Sequence, residues 1–295
     1  MTDNPTDQKT QSNGNDPAVK VVSPPLKRGR SSWPILVVAI LFVIGALLTW
    51  YFTWFGRQLS DEDIGTYLVD YQHPRKVQHA LVQIQQRIEN GDQSTRKWYP
   101  QLVELTNNPE TELRLTVAWL MGFDNKSAEF HSALTKLLND QEPIVRRNAA
   151  LALVRFGDPI GREELRSVLL PYQLRAPLEG TLHSSLKSGS EISRGALLAR
   201  LQGNNQEIVD LRAPVPGRIG TIMVQSNAHV AQGEPLLTIF SDETSVWEAL
   251  RGLALVGEQD DLKGIEDYLL NTHVTDRIKE QAALTIKSIQ SRTRQ

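Results

Sequence analysis

Apolar residues follow three different patterns along the chain, and each pattern predicts a different kind of structure. Residues 33–55 form an unbroken apolar run without a charged residue. Apolar spacings of three and four residues, typical of amphipathic helices, dominate residues 75–170 and return in residues 244–292. Between these helical parts, residues 172–243 alternate apolar and polar positions among glycines and prolines, which predicts short β-strands. The pattern therefore predicts a mainly α chain with an inserted all-β part.

The apolar run predicts a single transmembrane helix over residues 31–56. At 1.5 Å per residue, the run covers the roughly 30 Å hydrocarbon core of a bilayer. Trp33 stands at one end and Trp50 and Trp54 at the other, as in an interfacial aromatic belt. The run is longer than a typical signal-peptide core, and no small-residue cleavage site follows it.

The charges around the run predict its orientation. Basic residues cluster just before it, whereas Arg57 is soon followed by the acidic residues 61–63. By the positive-inside rule, we expect a single-pass protein of the cell inner membrane, with a cytoplasmic N-terminus and the bulk of the chain in the periplasm. Residues 1–30 are polar and have few large apolar groups, so they are predicted to be a disordered cytoplasmic tail.

The helical part repeats itself at a constant shift. The stretch LVELTNNPETELRLTVAWLMG from Leu102 aligns with LTKLLNDQEPIVRRNAALALV from Leu134, and Arg114 matches Arg146. A third copy, DRIKEQAALTIKSI, begins at Asp276. Each unit reads as a helix, a short polar turn and a second helix with alanines that allow close packing. Stacked units of this kind form a solenoid.

The segment NDQEPIVRRNAALALVRFGDP, residues 139–159, resembles HEAT repeats. The resemblance assigns residues 57–171 and 244–295 to a HEAT-type α-solenoid. It implies that Arg146 connects adjacent turns through hydrogen bonds, a role that Arg114 keeps and Lys279 approximates. Such solenoids usually present an extended surface to another protein, and some relatives bind tetrapyrroles.

The β-rich part is an internal duplication. LRAPLEG begins at Leu174 and LRAPVPG begins at Leu211, and the similarity continues beyond both heptads. Asn227 stands where the first copy has Gly189. Asparagine is the non-glycine residue that best tolerates the left-handed conformation, so a matching turn is expected at both positions.

The two copies resemble the barrel-sandwich hybrid of biotinyl and lipoyl carrier domains, which also occurs in periplasmic adaptor (membrane-fusion) proteins. This implies two β-units that close on each other into a flattened barrel over residues 172–243. Carrier domains attach their cofactor to a lysine in the connection between the halves. Here the connection, LQGNNQEIVD, has no lysine and places Gln206 at or near that position; the nearest lysine, Lys187, lies in another turn. A carrier role is therefore not predicted.

The same connection also departs from the adaptor proteins. They insert a long helical hairpin there, whereas residues 201–210 have room only for a tight turn. Instead, residues 162–170 and 245–257 read as the two helices of one HEAT pair. The barrel is predicted to be inserted into the turn between them, where a solenoid best tolerates an insertion.

Composition and motifs give no indication of catalysis. The net charge of −2 gives no reason to expect nucleic-acid binding, and the absence of cysteine excludes thiol chemistry. The six histidines lack metal-ligand spacing, although His183 and His229 both fall in the barrel. Asp260 and Asp261 read as a solvated loop. We therefore predict no catalytic, cofactor-binding or metal-binding residues.

These observations predict a non-catalytic, membrane-anchored periplasmic scaffold or adaptor. It would bind or assemble a membrane protein complex, for transport or respiration, through the HEAT repeats and the lipoyl-like barrel, with the bilayer contacting residues 33–55. The alternative is a periplasmic protein that binds a small molecule such as a tetrapyrrole or a lipid.

Overall fold

A computed structural model describes residues 33–50, 58–204, 206–270 and 274–293. The chain divides into two compact units, Met1–Arg57 and Gln58–Gln295. The described part of the first unit is helix α1, Trp33–Trp50, whose apolar side chains are largely exposed. The predicted tail at residues 1–30 and the basic cluster within it lie outside the described residues, as do residues 51–57.

The predicted transmembrane helix is wrong. Within the described ranges, no helix combines the length and the apolar character needed to cross a membrane. The described helix α1 has 18 residues, a rise of about 27 Å. The span at residues 31–56 and the single-pass inner-membrane location derived from it are therefore not supported.

The second unit is built from paired helices. Helix α2 packs on α3, α4 on α5, α6 on α7, α8 on α9, and α10 on α11. The second helices of the pairs also pack on one another in the order α3, α5, α7, α9 and α11, and we call this series the B-helix row. The helices are α2 Asp61–Leu68, α3 Pro74–Glu89, α4 Tyr99–Leu105, α5 Thr111–Met121, α6 Ala128–Leu137, α7 Pro143–Arg155, α8 Arg162–Val168, α9 Glu243–Val256, α10 Leu262–Leu270 and α11 Asp276–Thr293.

Small residues allow the helices of the row to approach closely, as the alanine pattern predicts. Ala118 of α5 and Ala149 of α7 are fully buried. A Cβ on Gly161, just before α8, would lie 2.8 Å from the Cα of Ala150. A larger side chain at any of these positions would separate the stacked layers, because packed interiors have few voids to receive it.

Two arginines connect successive helix pairs, which confirms the role that the HEAT resemblance implies for them. Arg114 donates from Nε and Nη2 to the Asp140 carboxylate at 2.7 and 3.0 Å, and from Nη1 to the carbonyl oxygen of Asn108 at 2.8 Å. Arg146 donates from Nη1 to the Asp140 carbonyl oxygen at 2.9 Å and from Nε to Glu164 at 2.9 Å. Each guanidinium therefore fixes its own turn and reaches an acidic residue of the following helix pair.

The prediction that Lys279 approximates the role of these arginines is wrong. Among the described residues, the Lys279 ammonium forms no corresponding bond, although its backbone N–H donates to Thr275. A lysine offers a single point of charge on a flexible stem, whereas arginine has a rigid set of donors that reaches two acceptors at once.

Between α8 and α9 lie eight strands that form two antiparallel sheets, which we call the β-module. One sheet has the order β1-β8-β6-β3 and the other the order β5-β4-β2-β7. Side chains from the two sheets pack against each other and form the core of the β-module. The strands are β1 Tyr172–Arg175, β2 Gly180–His183, β3 Glu191–Ile192, β4 Leu197–Gly203, β5 Ile208–Arg212, β6 Gly217–Ile222, β7 His229–Val230 and β8 Pro235–Ser241.

The two sheet orders show how the duplicated sequence is used. If β1–β4 are replaced by β5–β8 in the same order, each sheet becomes the other, so the halves are related by a pseudo-twofold axis. The halves also interlock, because β3 pairs with β6 and β7 pairs with β2. The turn prediction is confirmed: Gly189 has φ 84° and Asn227 has φ 69°.

The β-module leaves and rejoins the solenoid at adjacent points. Its first and last strands are paired, with Tyr172 opposite Ile239. Helices α8 and α9 pack on each other, and a Cβ on Gly252 would lie 2.8 Å from Leu165 Cδ1. Helices α8 and α9 therefore pack as one helix pair, and the β-module occupies the position of the turn that connects them.

Candidate functional site

The first notable surface feature is an arginine held between two aromatic rings. The guanidinium carbon of Arg155, at the end of α7, lies 4.4 Å from the ring centroids of both Trp119 and Phe123. Burial lowers the pKa of Arg155, while the charges of Glu89 and Glu248 act in the opposite direction. Stacking on two rings keeps this cation partly out of water and fixes its orientation.

A second group of the same kind lies further along the B-helix row. Arg251 of α9 and Arg277 of α11 approach the ring of Trp247, with centroid distances of 4.7 and 4.5 Å. Two leucines of the same helices are largely exposed, Leu255 at 67% and Leu284 at 59%. Exposed apolar side chains that adjoin one another, rimmed by polar residues, mark interaction sites.

Between the two groups lies the half-buried carboxyl of Glu248. Burial and the charge of Asp242 raise its pKa, and the charges of Arg251 and Arg155 lower it less strongly. The two aromatic–arginine groups, Glu248 and the two exposed leucines are named here the B-helix surface. Tryptophan and arginine are the residues most enriched at the energetic centres of protein interfaces.

Sequence reasoning missed this surface. Trp119 and Trp247 are half-buried, and nothing in the sequence patterns considered above distinguished them from other apolar helix positions. The available signal was spacing: Arg251 follows Trp247 by four residues, which places both side chains on one helix face.

The connection between the two sequence copies is a tight hairpin between β4 and β5. The N–H of Gly203 donates to the Glu207 carbonyl oxygen at 2.8 Å, and the N–H of Gln206 donates to that of Gly203 at 3.0 Å. Gln206 has φ 64°, a left-handed conformation that an L-residue adopts at some cost. Lys187 lies in the β2–β3 turn, whose Ser188 and Gly189 bond to β6.

We expect Gln206→Gly to stabilise the β-module by about 1 kcal/mol, because glycine adopts positive φ without a Cβ penalty. Chemical denaturation monitored by β-sheet circular dichroism or by proteolysis of the module measures the change. Gln202→Gly is the matched control: Gln202 is an exposed residue inside β4, where glycine is expected to destabilise by a similar amount. Equal effects of the two changes would contradict the assignment of strain to residue 206.

The histidines of the β-module do not meet. His183 Nδ1 lies 2.9 Å from Asn227 Oδ1, and His229 Nε2 lies 3.1 Å from Glu179 Oε1. Hydrogen bonds with His229 and Asn204 lower the pKa of the exposed Glu179 carboxyl. Within the described ranges, no three histidine or carboxylate side chains are grouped so that they could hold a metal ion. His273 lies outside those ranges.

The interpretation of residues 260 and 261 as a solvated loop is wrong for Asp261. Its side chain is fully buried, and Oδ1 lies 3.0 Å from Arg166 Nε. Its Oδ2 accepts the N–H of Glu258 at 2.8 Å. Asp261 thus joins the turn before α10 to α8 and belongs to the solenoid framework. Sequence did not indicate this, because the arginine that covers it is distant along the chain.

Polar side chains connect the β-module to the solenoid. Arg147 of α7 is 5% exposed, and its Nη2 donates to Ser241 Oγ at 3.3 Å. Burial lowers the pKa of Arg147, while the charges of Glu164 and Asp242 raise it. Arg194 pairs with Glu112 at the start of α5. These contacts orient the module against the N-terminal ends of the B-helix row.

Comparison with known proteins supports the helical assignment. Residues 99–175 match the HEAT-repeat family, which confirms the predicted repeats in that stretch. HEAT repeats indicate protein–protein interaction in general, so a surface for a protein partner is supported. No match is found among the curated proteins.

Two solved structures show limited likeness. One is a single-chain, multi-domain long-chain acyl-CoA carboxylase, with 23% identity, coverage of 35% of this chain and a TM-score of 0.23. The chain spans only 10% of that protein. The other is an engineered protein, with 14% identity, coverage of 77% of this chain and 78% of that one, and a TM-score of 0.40. At these scores, neither likeness carries an argument about fold or function.

Proposed function

We propose that the chain is a non-catalytic interaction scaffold. Its HEAT solenoid would bind a partner protein through the B-helix surface, and its β-module would form a second docking element. The observation that carries this proposal is the combination of stacked arginines with the exposed Leu255 and Leu284 on neighbouring helices. Exposed apolar side chains beside tryptophan and arginine are typical of surfaces that bind another protein.

We propose that the β-module is a barrel-sandwich hybrid of the biotinyl and lipoyl kind that has lost the carrier role. The pseudo-twofold relation of its sheets supports this, as does the hairpin at Gln206, where an amine would be needed to form an amide with a cofactor. The alternative of a small-molecule-binding protein has less support. The apolar gap between the sheets is lined by core side chains such as Leu182, Val224 and Leu236.

Affinity purification of the tagged full chain tests the scaffold. We expect Arg251→Glu to reduce at least one co-purifying protein by ten-fold or more, since loss of a central interface residue costs about 2 kcal/mol. Lys263→Glu is the control, because it makes the same charge change on an exposed position of α10. Thermal melting should not distinguish the two variants.

A deletion separates the two docking elements. Replacement of residues 172–243 by a short Gly/Ser linker should leave helical circular dichroism intact, since α8 and α9 already pack on each other. Proteins lost on deletion but retained by Arg251→Glu bind the module. If neither variant changes any co-purifying protein, the scaffold proposal is wrong.

A further inference from the structure

The β-module has one regular edge that no described strand covers. Strand β5 stands at the end of its sheet and pairs on one side with β4. The other edge strands offer less. Both β3 and β7 have two residues, and β1 pairs regularly only over residues 172–174. Strand β5 pairs regularly over residues 208–211, and the irregularity in the β4–β5 pairing lies on β4.

The register of β5 shows which backbone groups point away from the sheet. The Glu207 carbonyl oxygen accepts the Gly203 N–H and so faces β4, and the alternation of antiparallel strands makes the backbone groups of Val209 and Leu211 face β4 as well. The N–H and C=O groups of Ile208, Asp210 and Arg212 therefore point outward along the free edge. Within the described residues, no backbone group forms a hydrogen bond with these outward-pointing N–H and C=O groups.

Natural sheets usually protect such an edge with a proline, a bulge or an inward-pointing charge. Strand β5 has no proline and no inward-pointing charge: its inward residues are Val209 and Leu211, and its first residue, Ile208, is 64% exposed. The irregularity in its pairing lies on β4, between Leu197 and Ala199. An unprotected edge is suited to accept another strand by backbone hydrogen bonding.

The side chains along the edge of β5 indicate which strand pairs with it. Asp210 and Arg212 both point to the outer face of the sheet and lie 2.8 Å apart, Oδ2 to Nη2. An antiparallel copy of β5 can be placed so that Asp210 of each copy lies opposite Arg212 of the other. In that register Asp210 and Arg212 of each copy exchange backbone hydrogen bonds with Arg212 and Asp210 of the other copy. Two Asp–Arg pairs of opposite charge therefore lie across the interface. A register two residues away would place Asp210 opposite either Asp210 or Pro214 of the other copy, which lacks this complementarity.

We propose that β5 pairs with β5 of a second copy of this chain in the Asp210–Arg212 register, joining the two four-stranded sheets into one. This goes beyond the scaffold proposal and does not depend on it. The strand is short, so the pairing buries less than the roughly 1,200 Å² of a standard interface, and the dimer is weak and populated at high concentration.

The chain has no cysteine, so engineered disulfides report the register without background. We expect Asp210→Cys mixed with Arg212→Cys to form a covalent dimer under mild oxidation, because hydrogen-bonded cross-strand positions have Cα atoms about 5.5 Å apart. The mixed dimer also retains one of the two Asp–Arg pairs. Neither variant alone is expected to cross-link. Cross-linking of Asp210→Cys by itself, or no preference for the mixture, would overturn the register.

Sedimentation of the full chain tests the edge itself. Asp210→Pro removes an N–H that points outward and leaves the β4 pairing intact, so it should abolish self-association. Asp210→Ala loses the charge but keeps the N–H and should weaken association only in part. A wild-type chain that stays monomeric at about 0.1 mM and forms no mixed cross-link overturns the proposal. So does loss of a different co-purifying protein from Asp210→Pro alone, since the edge would then bind that protein.

Discussion

Gly217→Ala is expected to unfold the β-module. An added Cβ at residue 217 would overlap the carbonyl oxygen of Phe240 on the neighbouring strand β8. That oxygen belongs to the backbone, so it cannot move away without breaking the β6–β8 pairing. Overpacking alone costs about 1–3 kcal/mol, and a backbone overlap adds to it, which is a large part of the stability of a small domain.

The first half of the duplication provides an equivalent position at which to repeat the test, and the solenoid provides a control position. Gly180 occupies the same place in the first half, and its Cβ would overlap the Gln202 carbonyl oxygen, so Gly180→Ala should be equally damaging. Gly264 of α10 has open space around it, and Gly264→Ala should stabilise by up to about 1 kcal/mol. Limited proteolysis within residues 172–243, together with helical circular dichroism, distinguishes loss of the module from loss of the solenoid. A Gly217→Ala chain as resistant as wild type would show that the strands are not paired as described.

The second large effect is expected at Arg114. Its side chain is 13% exposed and that of Asp140 is 8% exposed, so Arg114→Ala leaves a carboxylate inside the solenoid without its cation. Removing one partner of a buried pair typically costs about 3–5 kcal/mol. The Asn108 carbonyl oxygen also loses its bond to Nη1. We expect the helical melting transition to fall by several degrees or more, with Arg114→Lys intermediate because lysine keeps the charge but not the paired donors.

The pH dependence of this loss is a further check on its cause. Burial raises the pKa of the Asp140 carboxyl, but the hydrogen bonds from Arg114 and the Glu142 N–H outweigh burial, and the pKa is lowered overall. A lowered carboxyl pKa contributes stability above the unfolded pKa of about 4, and that stability is lost as the pH falls through the folded value. The difference between wild type and Arg114→Ala should therefore shrink under acid conditions. A difference that is constant with pH would assign the loss to packing alone.

The parts of the fold that follow from local chemistry could be predicted from the sequence. Helix pairs were predicted because leucine spacing and alanines are properties of a single segment. Asn227 in the left-handed conformation was predicted because few residue types adopt it. The arginine series followed from two aligned positions, Arg114 and Arg146, that share the same turn.

The parts that depend on distant contacts could not be predicted in the same way. That β3 would pair with the second half, and β7 with the first, is set by hydrogen bonds between strands far apart in sequence. Burial of Asp261 depends on an arginine of α8 that covers it.

The insertion of the β-module also has a consequence for synthesis on the ribosome. Helix α8 ends at residue 168 and α9 begins at residue 243, so about 75 residues separate the two helices that pack on each other. At about 5–20 residues per second, α9 is completed several seconds or more after α8. During that interval Leu165 and Val168, buried in the finished protein, lack the part of their packing that α9 supplies. The interlocked strands cannot close until β8 is made, so the layer formed by α8 and α9 is completed only after the whole module has been synthesised.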